Sequence, residues 1–230
     1  MALNVQTLRT RALTALIFVG VMLAGLLWNR WSFIALFTII HFGCWYEFIK
    51  LLKKISDDKW FAYAWLGLLY ITLPVLAMLS IRLSPLPLGD NLIQINQYLI
   101  PCAIIFSIWI NDTMAYLVGS VIGKTPFSKI SPKKTWEGTA GGAILCIVTI
   151  ALLANYLPVA KNIAVIHWVA ISAICAVFGT AGDLLESKIK RMADVKDSGT
   201  IMPGHGGFLD RFDSLLIATP VVWLYLKLFL

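Results

Sequence analysis

The chain has 230 residues, 59% of them hydrophobic and 13% charged, with a mean hydropathy of +0.81; soluble domains carry roughly a quarter charged residues. That composition excludes an ordinary soluble domain and makes lipid the expected solvent. The formal charge of +7 comes from 19 Lys and Arg against 12 Asp and Glu, but the basic residues lie between apolar blocks and not on one soluble face, which argues against a nucleic-acid binder.

Apolar blocks long enough for a ~30 Å hydrocarbon core fall near 12–28, 31–52, 60–80, 97–119, 138–158, 163–182 and 214–230. Lipid offers no partner to an exposed backbone N–H or C=O, so these spans are expected to be helices. The expected fold is an all-α polytopic membrane bundle with about seven transmembrane helices, within a range of six to eight. Arg9 and Arg11 precede the first span, and the following Leu26, Leu27, Trp28, Asn29 and Arg30 offer no small-residue cleavage site, so this span is expected to stay attached. With a cytoplasmic N-terminus, alternation puts 15 of the 19 basic residues on the cytoplasmic side, leaving Arg30, Arg82, Lys161 and Lys227 opposite. The positive-inside rule therefore turns the N-terminus and the loops at 120–137 and 183–213 toward the cytoplasm. Trp28, Trp31, Trp60, Trp136 and Trp223 read as interfacial anchors, and Ser84-Pro85-Leu86-Pro87 as an external loop. Cys44, Cys102, Cys146 and Cys175 stand singly in apolar blocks and read as reduced packing residues.

Charge against a membrane is costly, so its location is informative. The stretch from Gly182 to Ser214 carries Asp183, Glu186, Asp194, Asp197, Asp210 and Asp213 beside Lys188, Lys190, Arg191, Lys196 and Arg211. Such carboxylates suit Mg²⁺, which binds few protein oxygens and leaves positions for phosphate and water. The interspersed cations suit phosphate charge, as phosphoryl-type transfer requires. Pro203-Gly204-His205-Gly206-Gly207 allows close backbone approach and an anion nest, with a plain loop turn as the alternative. His205 is the only histidine outside the spans; it is a poor Mg²⁺ ligand and suits a phosphate hydrogen bond, or a turn-stabilising one.

The loop from Gly123 to Thr139 adds Lys124, Lys129, Lys133 and Lys134 with Ser131, Thr135 and Glu137. It offers an electropositive surface to a nucleotide or an anionic lipid, or simply follows the positive-inside rule. Gly119 to Thr125 resembles a Walker A loop but is one residue short between its glycines and follows a membrane helix. Asp112, beside Asn111 in the fourth span, is a functional candidate by its location, with a snorkelled or capping aspartate as the alternative.

Ser187-Lys188-Ile189-Lys190-Arg191, Lys196-Asp197-Ser198-Gly199, His205-Gly206-Gly207 and Asp210-Arg211-Phe212-Asp213 stand in one order. In this the chain resembles the phosphatidate cytidylyltransferase (CDP-diacylglycerol synthase) family. Residues 109–116 and 131–138 are similar to it as well. The resemblance is close in the C-terminal half and covers the N-terminal half only in hydropathy, where the chain is short for the family. It implies Mg²⁺-dependent attack by phosphatidic acid on CTP, with room for a second metal or a monovalent ion. By that analogy Asp183 and Asp210 are the metal ligands, with Asp213, Asp197 and Asp112 in support and Lys190 among the catalytic groups. Lys190, Arg191, Lys196 and Arg211 meet phosphate charge. Lys133, Lys134, Thr135 and Glu137 take CTP or the lipid headgroup, and Ser187, Ser198, Gly204, His205, Gly206 and Gly207 complete the substrate-binding set. One membrane domain, 1–230, would then comprise N-terminal helices at 1–96, suited to packing or homodimer contact, and a catalytic part at 97–230. A multi-pass protein of the bacterial inner (plasma) membrane is the expectation.

Three alternatives compete. A CTP-dependent lipid-alcohol kinase would use similar acids and cations but release CDP. A CDP-alcohol phosphatidyltransferase would need a DG-x2-AR-x8-G-x3-D-x3-D pattern, and the final acids here are separated by two residues. An ion-coupled transporter would need paired broken helices in two equivalent halves, which the hydropathy does not show.

Overall fold

The computed structural model describes residues 5–84, 97–201 and 206–230, with side chains from residue 12 onward in the first helix. The expected external loop at Pro85 to Pro87, the side chains of Arg9 and Arg11, and the candidate residues Gly204 and His205 lie outside the described residues. Among these the regular elements are helical: α1 (Val5–Leu27), α2 (Arg30–Ile55), α3 (Trp60–Ala64), α4 (Leu73–Leu83), α5 (Leu99–Ile122), α6 (Trp136–Tyr156), α7 (Val165–Met192) and α8 (Leu209–Phe229). All seven apolar blocks fall on helical segments.

Among the described residues, α2, α5, α6, α7 and α8 are long and apolar enough to cross a membrane. A sixth crossing results if Asp57–Ala64 and Leu68–Leu83 act as one span bent by 48°; α1 contributes the shorter apolar stretch Ala12–Leu27. Five or six spans therefore meet the length criterion, against about seven expected. The third expected span, at 60–80, is the broken one. The break falls at 65–67, directly before a π turn at Leu68–Thr72 and Pro74 in the first turn of α4, features that interrupt the regular helical ladder just beyond it.

Sharp ends come from local chemistry. Asn29 caps α2, its Oδ1 accepting from the N–H groups of Trp31 and Ser32 at 2.8 and 2.9 Å, while Ser32 Oγ accepts from Asn29 N–H at 3.1 Å. This reciprocal box turns the chain straight from α1 into α2. Thr135 caps α6 by accepting from Gly138 N–H at 3.1 Å.

The core joins residues such as Phe33, Phe37, Ile40, Met78, Ile104, Ile171 and Leu216, all at most 1% exposed. Leu16, Phe42, Val121 and Tyr156 instead show apolar surface outward, as a lipid-facing wall does. The four cysteines are buried and free, as expected of packing residues. α5 and α6 form the most extensive helix pair because their contact is built from small residues. A Cβ on Gly142 would stand 2.7 Å from both Cβ and N of Ala115, so glycine lets the backbones approach.

The two polar connections are shorter than hydropathy suggested. α5 runs to Ile122 and α6 starts at Trp136, leaving 123–135; α7 runs to Met192 and α8 starts at Leu209, leaving 193–208. Asp183, Glu186, Ser187, Lys190 and Arg191 are thus helical, as are Asp210, Arg211 and Asp213. Charge ends a membrane span but not a helix. Leu185, Ile189 and Met192 continue an apolar face along α7, and Glu186 pairs with Lys190 one turn on. The ends of α5, α6, α7 and α8 that carry these polar residues meet at one end of the bundle.

Candidate active site

A cavity of about 470 Å³ opens where those four ends meet. The face of α5 carrying Asn111, Asp112, Ala115, Tyr116, Gly119 and Ser120 forms one wall. Ser131, Lys133, Lys134 and Thr135 of the following connection form another, with Thr139 of α6. Thr180 and Asp183 of α7 and Asp210, Arg211 and Asp213 of α8 complete it. The i, i+3 spacing of Asp210 and Asp213, like that of Thr180 and Asp183, sets each pair on one helix face. Four aspartates and three cations thus share one cavity, drawn from both polar stretches of the sequence and, for Asp112, from α5.

Two ion-paired clusters organise it. Lys134 is paired with Asp183, whose Oδ1 also accepts from Ser187 Oγ at 3.2 Å. Lys190, largely buried, is paired with both Glu186 and Asp210. Asp210 Oδ2 accepts from Ser198 N–H, Ser198 Oγ and Gly207 N–H, each at 2.8 Å. Gly206 permits this turn: its φ of +84° lies in the left-handed region, and a Cβ there would run into the Asp210 carboxylate. The glycine pair thus wraps a carboxylate, where sequence reasoning assigned it to substrate.

The 123–135 connection is a closed loop. Phe127 N–H donates to Lys134 O at 2.8 Å and Trp136 N–H to Thr125 O at 3.0 Å. Glu137 locks its base, accepting from Lys124 N–H, Thr125 N–H and Thr125 Oγ1 at 3.2, 3.2 and 2.8 Å. It holds the loop that presents Lys133 and Lys134 and does not itself line the cavity.

Other candidates lie apart. Lys196, Asp197 and Ser198 line a second, smaller cavity of about 270 Å³ with Lys50 and Lys54 of α2. Ser198 nevertheless reaches Asp210 from there. Arg191 donates to Val195 O at 3.2 Å, closing the end of α7. Sequence reasoning passed over Glu186 as a site residue, and over the cavity walls Tyr116, Ser120, Thr139 and Thr180. It also missed Glu47 of α2, which is 1% exposed and accepts from Ser198 Oγ, Phe208 N–H and Leu209 N–H. An acid within an apolar span was the available signal.

Among the described residues no three His, Cys, Asp or Glu side chains converge in metal-binding geometry. The donor chemistry nonetheless fits a hard cation held by one or two carboxylates, with water and phosphate oxygens completing the shell. Asp210 Oδ2 is filled by N–H and O–H donors and Oδ1 is ion-paired with Lys190, so a cation held by this carboxylate would share Oδ1 with Lys190.

Comparison with known proteins adds an independent line. The model of the Cytidylyltransferase family matches residues 91–229. A phosphatidate cytidylyltransferase of Bacillus subtilis is 48% identical over 125 residues, 53% of this chain and 45% of that protein. The Aquifex aeolicus enzyme of the same name is 42% identical over 121 residues, 52% of this chain and 44% of the other. Phosphatidate cytidylyltransferase 4, chloroplastic, of Arabidopsis thaliana is 45% identical over 116 residues, half of this chain and 29% of the other. The matched stretch thus spans less than half the length of these relatives.

Proposed function

This chain belongs to the cytidylyltransferase family, and on that premise we propose that it is a phosphatidate cytidylyltransferase, converting CTP and phosphatidic acid to CDP-diacylglycerol and pyrophosphate. The observation that carries the reading is the single cavity in which Asp112, Asp183, Asp210 and Asp213 face Lys133, Lys134 and Arg211 at one end of a multi-pass membrane bundle. Both substrates are anions, one from water and one from lipid, and this reading sets the site where the two phases meet.

In this reading an oxygen of the phosphatidate phosphate attacks the α-phosphorus of CTP. The new P–O bond forms as the bond to the β-phosphate's bridging oxygen breaks, and pyrophosphate leaves with that electron pair. No side-chain nucleophile is needed, because the attacking group is already an oxyanion. The protein's task is to hold two mutually repelling anions in line. Lys133, Lys134 and Arg211 neutralise phosphate charge, and the Glu137-locked loop presents the two lysines to the cavity, with Lys134 ion-paired to Asp183 of α7. Asp183 and Asp210, through the Oδ1 that it shares with Lys190, are the proposed Mg²⁺ ligands, with Asp213 and Asp112 in support; Asp197, in the other cavity, is not included. When bound, the ion supplies Lewis-acid charge to the phosphate oxygens. The lysine-rich ends of α2 and α7 and the lysines of the 123–135 loop support a cytoplasmic position for this site.

The test is product analysis on purified protein in detergent with phosphatidic acid, CTP and Mg²⁺. Pyrophosphate and a CDP-lipid, formed only when all three are present, are expected. CDP with a newly phosphorylated lipid alcohol, when such an alcohol is supplied instead, would mark a kinase and overturn the reading.

A further inference from the structure

Glu47 lies in α2, outside the residues that the family model matches, and it is 1% exposed. It has no cation within ion-pair distance among the described residues; its charge is met by hydrogen-bond donors alone. Oε1 accepts from Phe208 N–H at 3.0 Å, and Oε2 from Leu209 N–H at 2.9 Å and Ser198 Oγ at 2.7 Å. The two N–H groups are those left without intrahelical partners at the start of α8, where a negative charge also favours the helix dipole. A remote side chain thus does what a local Ser or Asp usually does.

The fit is close. A Cβ on Gly199 or on Gly207 would overlap the Glu47 carboxylate, so the connection before α8 is shaped around it. Glu47 is also tied to the cavity through one hydroxyl. Ser198 Oγ lies 2.7 Å from Glu47 Oε2 and 2.8 Å from Asp210 Oδ2, and Asp210 N–H points back to it at 3.3 Å. That hydroxyl has one proton to donate, so both carboxylates are registered against a single group. An isolated buried acid is costly, and capping one helix does not require one.

We infer that Glu47 is a positioning residue for the active site: by fixing the start of α8 and the Ser198 hydroxyl it sets where Asp210, Arg211 and Asp213 stand in the cavity. The inference rests on the cytidylyl-transfer reading and extends the machinery into the N-terminal helices. Glu47 touches no reacting atom; it acts through Ser198 and the first turn of α8.

The test is Glu47→Gln, nearly isosteric, which keeps one accepting oxygen and turns an NH₂ toward a backbone N–H, that of Phe208 or of Leu209, which can only donate. Three quantities are read: monodispersity in detergent, kcat and KM for CTP and phosphatidic acid, and backbone hydrogen exchange. The expected result is a folded protein whose kcat falls about 10- to 100-fold with both KM values little changed, the signature of misplaced catalytic groups. Exchange at the amides of Phe208 and Leu209 should accelerate while α5 and α6 are unaffected. Wild-type kcat per folded molecule overturns the inference, and so does unchanged exchange. If Glu47→Gln does not yield monodisperse protein, Ser198→Ala is read in the same way, and wild-type kcat there overturns it too. Absence of cytidylyl transfer in the unaltered protein is a separate outcome, seen before any variant is made, and overturns the functional reading itself.

Discussion

The ammonium of Lys134, on the segment entering α6, is ion-paired with the carboxylate of Asp183 on α7. One contact thereby joins the two polar stretches of the chain across the cavity. Both side chains are about 30% exposed (27% and 30%), so the pair adds at most about 1 kcal/mol to stability. Its value is positional. Lys134→Ala and Asp183→Ala are each expected to leave thermal unfolding nearly unchanged while lowering kcat/KM by ~10²-fold or more. Because the two act as a unit, the double variant should lose less than the product of the single losses. Strict additivity in that cycle would show that they act separately.

Asp210→Asn should abolish CTP-dependent turnover, a fall of at least ~10²-fold, because the amide removes a charge that Lys190, Ser198 and Gly207 surround. Lys190 retains Glu186 as a partner, so the variant should still purify as a folded membrane protein. The Mg²⁺ concentration for half-maximal residual activity should rise. Wild-type activity and an unchanged Mg²⁺ requirement would remove Asp210 from the proposed ligands.

Glu137→Ala should act on binding more than on chemistry. Its carboxylate fastens the base of the 123–135 loop, and without it Lys133 and Lys134 are no longer presented on a fixed scaffold. KM for CTP is expected to rise several-fold with kcat largely retained, and limited proteolysis within 123–135 should accelerate. A protease-resistant loop with unchanged KM would contradict this.

Gly142→Ala tests the packing that sets α5 beside α6. The added methyl meets Ala115 at 2.7 Å, inside van der Waals contact, and overpacking of that kind costs about 1–3 kcal/mol. Earlier thermal unfolding in detergent is the expected readout, and wild-type stability would show that the helices separate freely.

Much of the site was legible because charge is rare in this chain. Asp183, Asp210, Asp213, Arg211, Lys133 and Lys134 stand out against apolar sequence, and the structure brings them to one cavity. Linear adjacency says less where the fold turns residues apart: Lys196, Asp197 and Ser198 of one motif line a second cavity, and Ser198 reaches back from it to Asp210. Glu47 was hidden by Lys50, Lys53 and Lys54 just after it, which made the end of α2 look like an ordinary interface. The extent of α7 was hidden too, since hydropathy reports where lipid ends and not where the helix does. The break between α3 and α4 has no polarity signal; only Gly67 and Pro74 hinted at it, and a π turn leaves no pattern in hydropathy.

The most direct measurement follows the label from CTP. Purified protein with phosphatidic acid and Mg²⁺ is given CTP labelled on either its α- or its γ-phosphorus. The account predicts that the α-label enters the lipid fraction as a CDP-lipid while the γ-label leaves entirely as pyrophosphate. Transfer of the γ-label to lipid, or α-label remaining wholly in soluble nucleotide, would contradict it.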